Sequence, residues 1–217
     1  TVYFGLAAVL YALVLFGGFS EGATLALAVA YGISTILIGI NVGHDGAHNS
    51  VSRTPWLNRA ALNVSFTLIG VDPHLWQLRH AKSHHIFPNV NGCDIDIDSN
   101  LFLRLSPNHP RRWYQRWQHF YAPILYAIVG FQSALIQDFQ YLTKKELANL
   151  TDITHPRAFY AWFALRKAIY VAIMFVIPML ILPFPWWHVL LGAFAANAAG
   201  SFVFVAMLIG THFADEA

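Results

Sequence analysis

The sequence predicts an all-α integral membrane protein with four transmembrane helices in two hairpins and a cytoplasmic helical cap that carries a histidine-rich metal site. Three observations predict it. Of the 217 residues, 57% are hydrophobic and only 11% charged, with mean hydropathy +0.48, far from the composition of a soluble domain. Uncharged apolar runs of about membrane length stand near both ends of the chain. All thirteen Lys and Arg lie between Arg53 and Lys167, which by the positive-inside rule assigns that middle region to the cytoplasm.

The first hairpin occupies residues 1–42. Val2 to Phe19 and Ala23 to Val42 are each near the ~20 residues a helix needs to cross hydrocarbon, and neither has a polar face. The break Ser20-Glu21-Gly22 forces them antiparallel. Residues 43–167 form the histidine-bearing cytoplasmic region. Within it, Ala60 to Val71 is apolar but too short to cross, and is read as lying along the interface. Asp72-Pro73 starts a new helix, because Pro suits a first turn. Arg111, Arg112 and Arg116 alternate with Trp113, Tyr114, Trp117 and Tyr121, a mixture suited to lipid headgroups better than to nucleic acid.

Tyr121 to Ile136 is uncharged, but crossing there would put Lys144, Lys145, Arg157, Arg166 and Lys167 outside, so it is read as a peripheral or core helix on the cytoplasmic side. The second hairpin covers residues 168–211. Its first span, Ala168 to Leu182, extends back through Ala158 if Arg166 and Lys167 snorkel, and Pro178 bends it. After the aromatic outer turn Pro183 to His188, a last span runs from Trp186 to Ile209, with Ala193, Asn197, Gly200 and Ser201 as small or polar packing contacts. A single cysteine, Cys93, excludes a disulfide framework and a multi-thiolate cluster. No secretory leader pattern stands at the start. Beginning at Thr1 and ending just past a histidine, the chain reads as an excerpt of a longer protein.

Five of the eleven histidines cluster. Residues 44–48 read His-Asp-Gly-Ala-His and residues 80–85 read His-Ala-Lys-Ser-His-His. On an α-helix, residues four apart lie about 40° apart around the axis, so His44 and His48 share a face, as do His80 and His84. His85 is turned about 100° from His84 and flanks the same pocket. Neutral imidazole suits iron, zinc or copper, and two such groups beside a span point to one metal site. The four-span count returns His212, at the inner end of the last span, to the same face.

Other candidates are weaker. The carboxylates of Asp94-Ile95-Asp96-Ile97-Asp98 do not fit a calcium loop, since Ser99 and Leu105 stand where Gly and Glu are needed. That segment is read as exposed or half-buried and extended, its carboxylates in water or paired with nearby Arg. Asp45 is either a carboxylate that orients a histidine or a surface residue. His74, His109, His119, His155 and His188 lack a partner at ligand spacing and are read as structural or interfacial. The sequons at Asn63 and Asn149 fall on the cytoplasmic side and are expected to carry no glycan.

These residues resemble the membrane fatty acid desaturases, whose histidine boxes read His-x-x-x-His, His-x-x-x-His-His and a later x-x-His-His. NVGHDGAHNS, LRHAKSHHIFPN, NGCDIDID and WQHFYAPILY are similar to the front-end acyl desaturase branch, over nearly the whole chain. The resemblance implies an O2-dependent oxidoreductase that introduces a double bond into a lipid acyl chain at a non-haem di-iron centre. It implies iron ligands at His44, His48, His80, His84, His85 and His212, with the boxes acting catalytically through two Fe ions and O2 as co-substrate. Leu208 stands where some relatives carry Asn, and the third box lies outside the 217 residues. An acyl-CoA or acyl-lipid substrate, membrane lipid, and an electron donor such as cytochrome b5 or ferredoxin with its reductase are the implied partners. No nucleotide, flavin or haem motif supplies electrons from within the chain. A histidine-box hydroxylase or ketolase shares these features. A metal transporter would carry ligands near mid-membrane, whereas these spans are nearly free of ionisable groups.

Overall fold

A helix that is apolar all round is stable only in a protein core or in lipid, and that composition governs the architecture. The computed structural model describes residues 2–97 and 101–212, with 208–212 by backbone only. Among the described residues the regular elements are helices, with one isolated bridge between Leu147 and Leu150. In chain order they are α1 (Val2–Phe16), α2 (Glu21–Ala47), α3 (Pro55–Leu68), α4 (Pro73–Arg79, continued by a π-helical turn His80–His84), α5 (Trp113–Ala127), α6 (Val129–Thr143), α7 (Arg157–Ile181) and α8 (Trp186–His212).

Among the described residues, three helices are long and apolar enough to span a membrane, α2, α7 and the Trp186–Met207 part of α8, or four if the bent pair α5 and α6 counts as one span. α1 is shorter than expected. Its 15 residues rise about 22 Å, and it stops before Gly17-Gly18, where Gly18 takes a left-handed φ of +61° that disfavours a side chain. The antiparallel hairpin is present, with Ala7, Tyr31 and Ile38 buried between α1 and α2 and Tyr11 against Tyr31. α8 crosses α2 almost backbone to backbone, since a Cβ on Gly32 would lie 2.1 Å from the Ala196 carbonyl oxygen. Gly200 also faces the Gly32 backbone there. This is the small-residue packing expected of α8.

Two expectations are corrected. The Tyr121 to Ile136 stretch is not one helix but parts of α5 and α6, bent by 64° at Ile128. The break is stabilised from α8, where Ser201 Oγ accepts the Gly130 N–H at 3.0 Å and Asn197 Oδ1 accepts the Phe131 N–H at 3.1 Å. These are orphan donors of a new helix start. Arg166 and Lys167 do not snorkel. Lys167 is buried, and its Nζ donates to the Gly70 carbonyl at 2.6 Å, to the Ala134 carbonyl, and to Asp138 Oδ2 at 2.6 Å. Arg166 binds Asp72 at 3.0 Å and Asn63 at 2.7 Å. α7 therefore continues past the span as a post to which α3, α4 and α6 are tied. A buried cluster of Leu75, Leu78, Ile95, Tyr141, Leu147, Phe159 and Phe163 completes that end.

Candidate metal centre

His44 and His48 stand at the C-terminal end of α2, just after a π-helical turn over Gly39–Gly43. Glycines flank His44 because α3 passes directly against this end. A Cβ on Gly43 would lie 2.8 Å from Ser65 Cβ, and one on Gly46 would lie 2.7 Å from the Asn58 carbonyl oxygen. Buried Asn58 then fixes the loop between α2 and α3, accepting from the Ser52 N–H and donating to the Ser52 carbonyl.

The second group is carried by α4. Asp72 caps this helix by accepting from the N–H groups of His74 and Leu75, with Pro73 in the first turn as anticipated. At His80 the helix widens, and the His85 N–H donates to the His80 carbonyl five residues back at 2.9 Å. A π turn aligns residues five apart. His80 therefore meets His85, with their Nε2 atoms 2.9 Å apart, where α-helical spacing had paired His80 with His84. The His84 ring stacks on His80 at 5.5 Å, but its Nδ1 is turned to Asp94.

One nitrogen each from His44, His48, His80 and His85 lies within 4.8 Å of the others. Ring centroids are 4.6 Å apart for His44 and His48, 5.3 Å for His44 and His80, and 4.9 Å for His48 and His85. Trp76 stacks on His80 at 4.3 Å and walls one side, while His48 and His85 are exposed. Burial pushes the His80 imidazole down to about 4, against the pull of Asp96, so it is neutral at pH 7 and keeps a lone pair. A convergent set of imidazole nitrogens fits iron, zinc or copper. Sequence spacing anticipated that all five box histidines would gather. The structure brings four into one group and sets His84 in a second with Asp94 and Asp96.

The acidic segment departs from its expected form. Residues Ile95–Ile97 make a 3-10 turn, not an extended stretch, and Asp94 is fully buried. Asp94 Oδ2 accepts the Asn89 N–H at 2.8 Å and lies 2.9 Å from His84 Nδ1, while Oδ1 accepts the Asp96 N–H at 2.9 Å. Asp96 does pair with an arginine, Arg79 Nε at 3.2 Å, and lies 3.7 Å from His80 Nδ1. Burial raises the Asp96 carboxyl, but Arg79, His80 and His84 outweigh it and hold it at about 2. Arg79 Nη1 in turn donates to Gln137 on α6 at 2.6 Å. Ser83, inside the second box, donates to the Cys93 carbonyl and accepts from the Ile95 N–H, fastening the acidic turn to α4. Sequence reasoning missed Trp76, Arg79, Ser83, Asp94 and Asp96 as neighbours of the site. Only the carboxylates were visible, and no periodic pattern assigned them.

Asp45 is half exposed, 3.8 Å from His44 Nδ1. His212 ends α8, and its side chain lies outside the described residues, as does Asp98. Of the histidines read as structural, His74 pairs with His155 at 3.3 Å. His188 sits 3.5 Å from Glu21, at the end of α2 opposite the box histidines.

The profile of the family described as "Fatty acid desaturase" matches residues 22–215. Among curated relatives, an sn-1 linoleoyl-lipid 6-desaturase of Arthrospira platensis is 30% identical over 154 residues, 70% of this chain and 41% of its own length. An acyl-lipid (8-3)-desaturase B of Dictyostelium discoideum is 30% identical over 70% of this chain and 33% of its own. An acyl-lipid (8-3)-desaturase of Physcomitrium patens is 31% identical over 77% and 35% respectively. The chain thus spans roughly a third to two fifths of these relatives. No solved structure matches.

Proposed function

This chain belongs to the fatty acid desaturase family, and from that premise we propose that it carries most of the metal centre of an O2-dependent acyl-lipid desaturase. The observation that carries the reading is the gathering of His44, His48, His80 and His85 within 4.8 Å at one end of the apolar helices. In this reading His44, His48, His80, His84, His85 and His212 hold two iron ions, with further ligands from outside residues 1–217. Iron bound there would supply the dioxygen activation that breaking an unactivated methylene C–H bond requires and that organic side chains lack.

The chain's own residues prepare that chemistry. Buried His80 stays neutral and offers a lone pair at pH 7. Trp76 covers one face of its ring and excludes water from that side. The acyl chain arrives from the bilayer, which is why the histidines stand where the helices leave it. The names of the relatives favour an acyl-lipid substrate. Electrons come from a separate donor, cytochrome b5 or ferredoxin. α1 and α2, and α7 and α8, form two membrane hairpins, with the histidine end and its basic residues cytoplasmic.

Expression of the full-length protein in a host, with acyl chains profiled by mass spectrometry, tests this. A new double bond that disappears in a His44→Ala variant is the expected result. An unchanged profile from protein that holds iron and accepts electrons overturns the desaturase reading.

A further inference from the structure

We propose that Asp94 and Asp96 are positioning residues: they hold His84 and His80 in the tautomer and orientation that bind metal, and are not ligands themselves. The inference rests on the reading of those histidines as iron ligands. A carboxylate only accepts hydrogen bonds, so at 2.9 Å from Asp94 Oδ2 the His84 Nδ1 must carry the proton, leaving the lone pair on Nε2. His80 is turned the same way at longer range, with Nδ1 3.7 Å from Asp96 Oδ2 and Nε2 beside His85 Nε2. Both histidines thus turn the same nitrogen, Nδ1, to a carboxylate.

The alternative, direct ligation by the acidic pair, is disfavoured by what their oxygens already do. Asp94 is fully buried and meets three donors: the N–H groups of Asn89 and Asp96, and His84 Nδ1. Asp96 is held by Arg79, which is itself held by Gln137 on α6. Ser83 clasps both sides of Asp94 through the Cys93 carbonyl and the Ile95 N–H. The carboxylates are therefore built into a bracket behind the two imidazoles. Buried Asp94 and partly exposed Asp96, standing behind the two histidines, also offset the charge of a bound cation.

The test is a thermodynamic cycle on the full-length protein, purified in detergent, with Fe(II) affinity measured anaerobically by chelator competition. Asn at position 94 keeps the shape, but its amide either donates to Nδ1 and moves the imidazole proton to Nε2, or turns its NH2 against the Asp96 N–H. Asp94→Asn is expected to weaken Fe(II) binding by about 10- to 100-fold. In a His84→Ala background the same substitution is expected to add less than about twofold, because the ring through which the carboxylate reaches the metal is gone. Full additivity of the two losses, the mark of an independent ligand or a purely structural group, overturns the proposal, as does wild-type affinity in Asp94→Asn. Should Asp94→Asn not fold, Asp96→Asn with and without His80→Ala decides by the same criteria. A wild-type protein that binds no Fe(II) overturns the underlying metal reading as well, which separates the two failures.

Discussion

His74 Nε2 and His155 Nδ1 meet 3.3 Å apart where α4 begins and the segment before α7 passes. Burial holds both imidazoles below their usual range; for His74, His155, Lys82 and Arg166 add to it and Asp72 opposes. In the unfolded chain each takes up a proton near pH 6.5, while the folded protein resists until lower pH. The unfolded state then binds more protons below that point, and stability falls with pH. The thermal midpoint in detergent is accordingly expected to drop between pH 7.5 and 5.5, and His155→Gln to flatten the slope. A His155→Gln protein with the wild-type slope assigns the acid sensitivity elsewhere. The box histidines show a different residue-scale lesson: their spacing announced a candidate site, but the carboxylates that His84 and His80 face stand ten and sixteen positions away.

Elements in this protein are joined by a few buried polar ties. Lys167 on α7 bonds Asp138 on α6, whose Oδ2 also accepts the N–H of Asp72, the cap of α4, at 2.7 Å. Removing one member of such a pair leaves a buried charge alone, at a cost of about 3–5 kcal/mol. Lys167→Met is expected to lose that much by chemical unfolding in detergent; a change within about 0.5 kcal/mol, the range of surface substitutions, contradicts the buried-pair account. The close pass of α3 over α2 gives a second prediction. Gly46→Val forces side-chain atoms into the Asn58 backbone, and is expected to weaken Fe(II) binding while leaving the α2–α8 crossing intact. Gly32→Val, at that crossing, is expected to do the reverse, with metal affinity in surviving protein read by chelator competition.

For the whole molecule, the histidine groups come from two stretches of chain, residues 44–48 and 80–85, brought together by α3 and α4. A cation bound only by the assembled set stabilises the folded state by about 2.7 kcal/mol at a free concentration 100 times its dissociation constant. Fe(II) should therefore raise the thermal midpoint of the full-length protein. His44→Ala and His85→Ala, on different stretches, should each abolish most of the shift. If only one of them matters, the two stretches do not share an ion.

What was legible in the sequence was local or compositional. Helical character, the apolar runs of α2, α7 and α8, the pairing of α1 with α2, the Asp72-Pro73 start and the histidine spacings are short-range patterns, set by side-chain transfer and backbone sterics within a few residues. The tertiary structure decided the rest. The last turn of α4 is π-helical and pairs His80 with His85. Asn197 and Ser201 on α8 made a break at Ile128 tolerable, and Asp138, 29 positions away, turned Lys167 inward. The acidic turn became the backing of the histidines only when Ser83 and Arg79 drew it onto α4. The break at Ile128 and the inward turn of Lys167 depend on polar groups finding partners across the fold, and periodicity along a chain carries no record of such a partner.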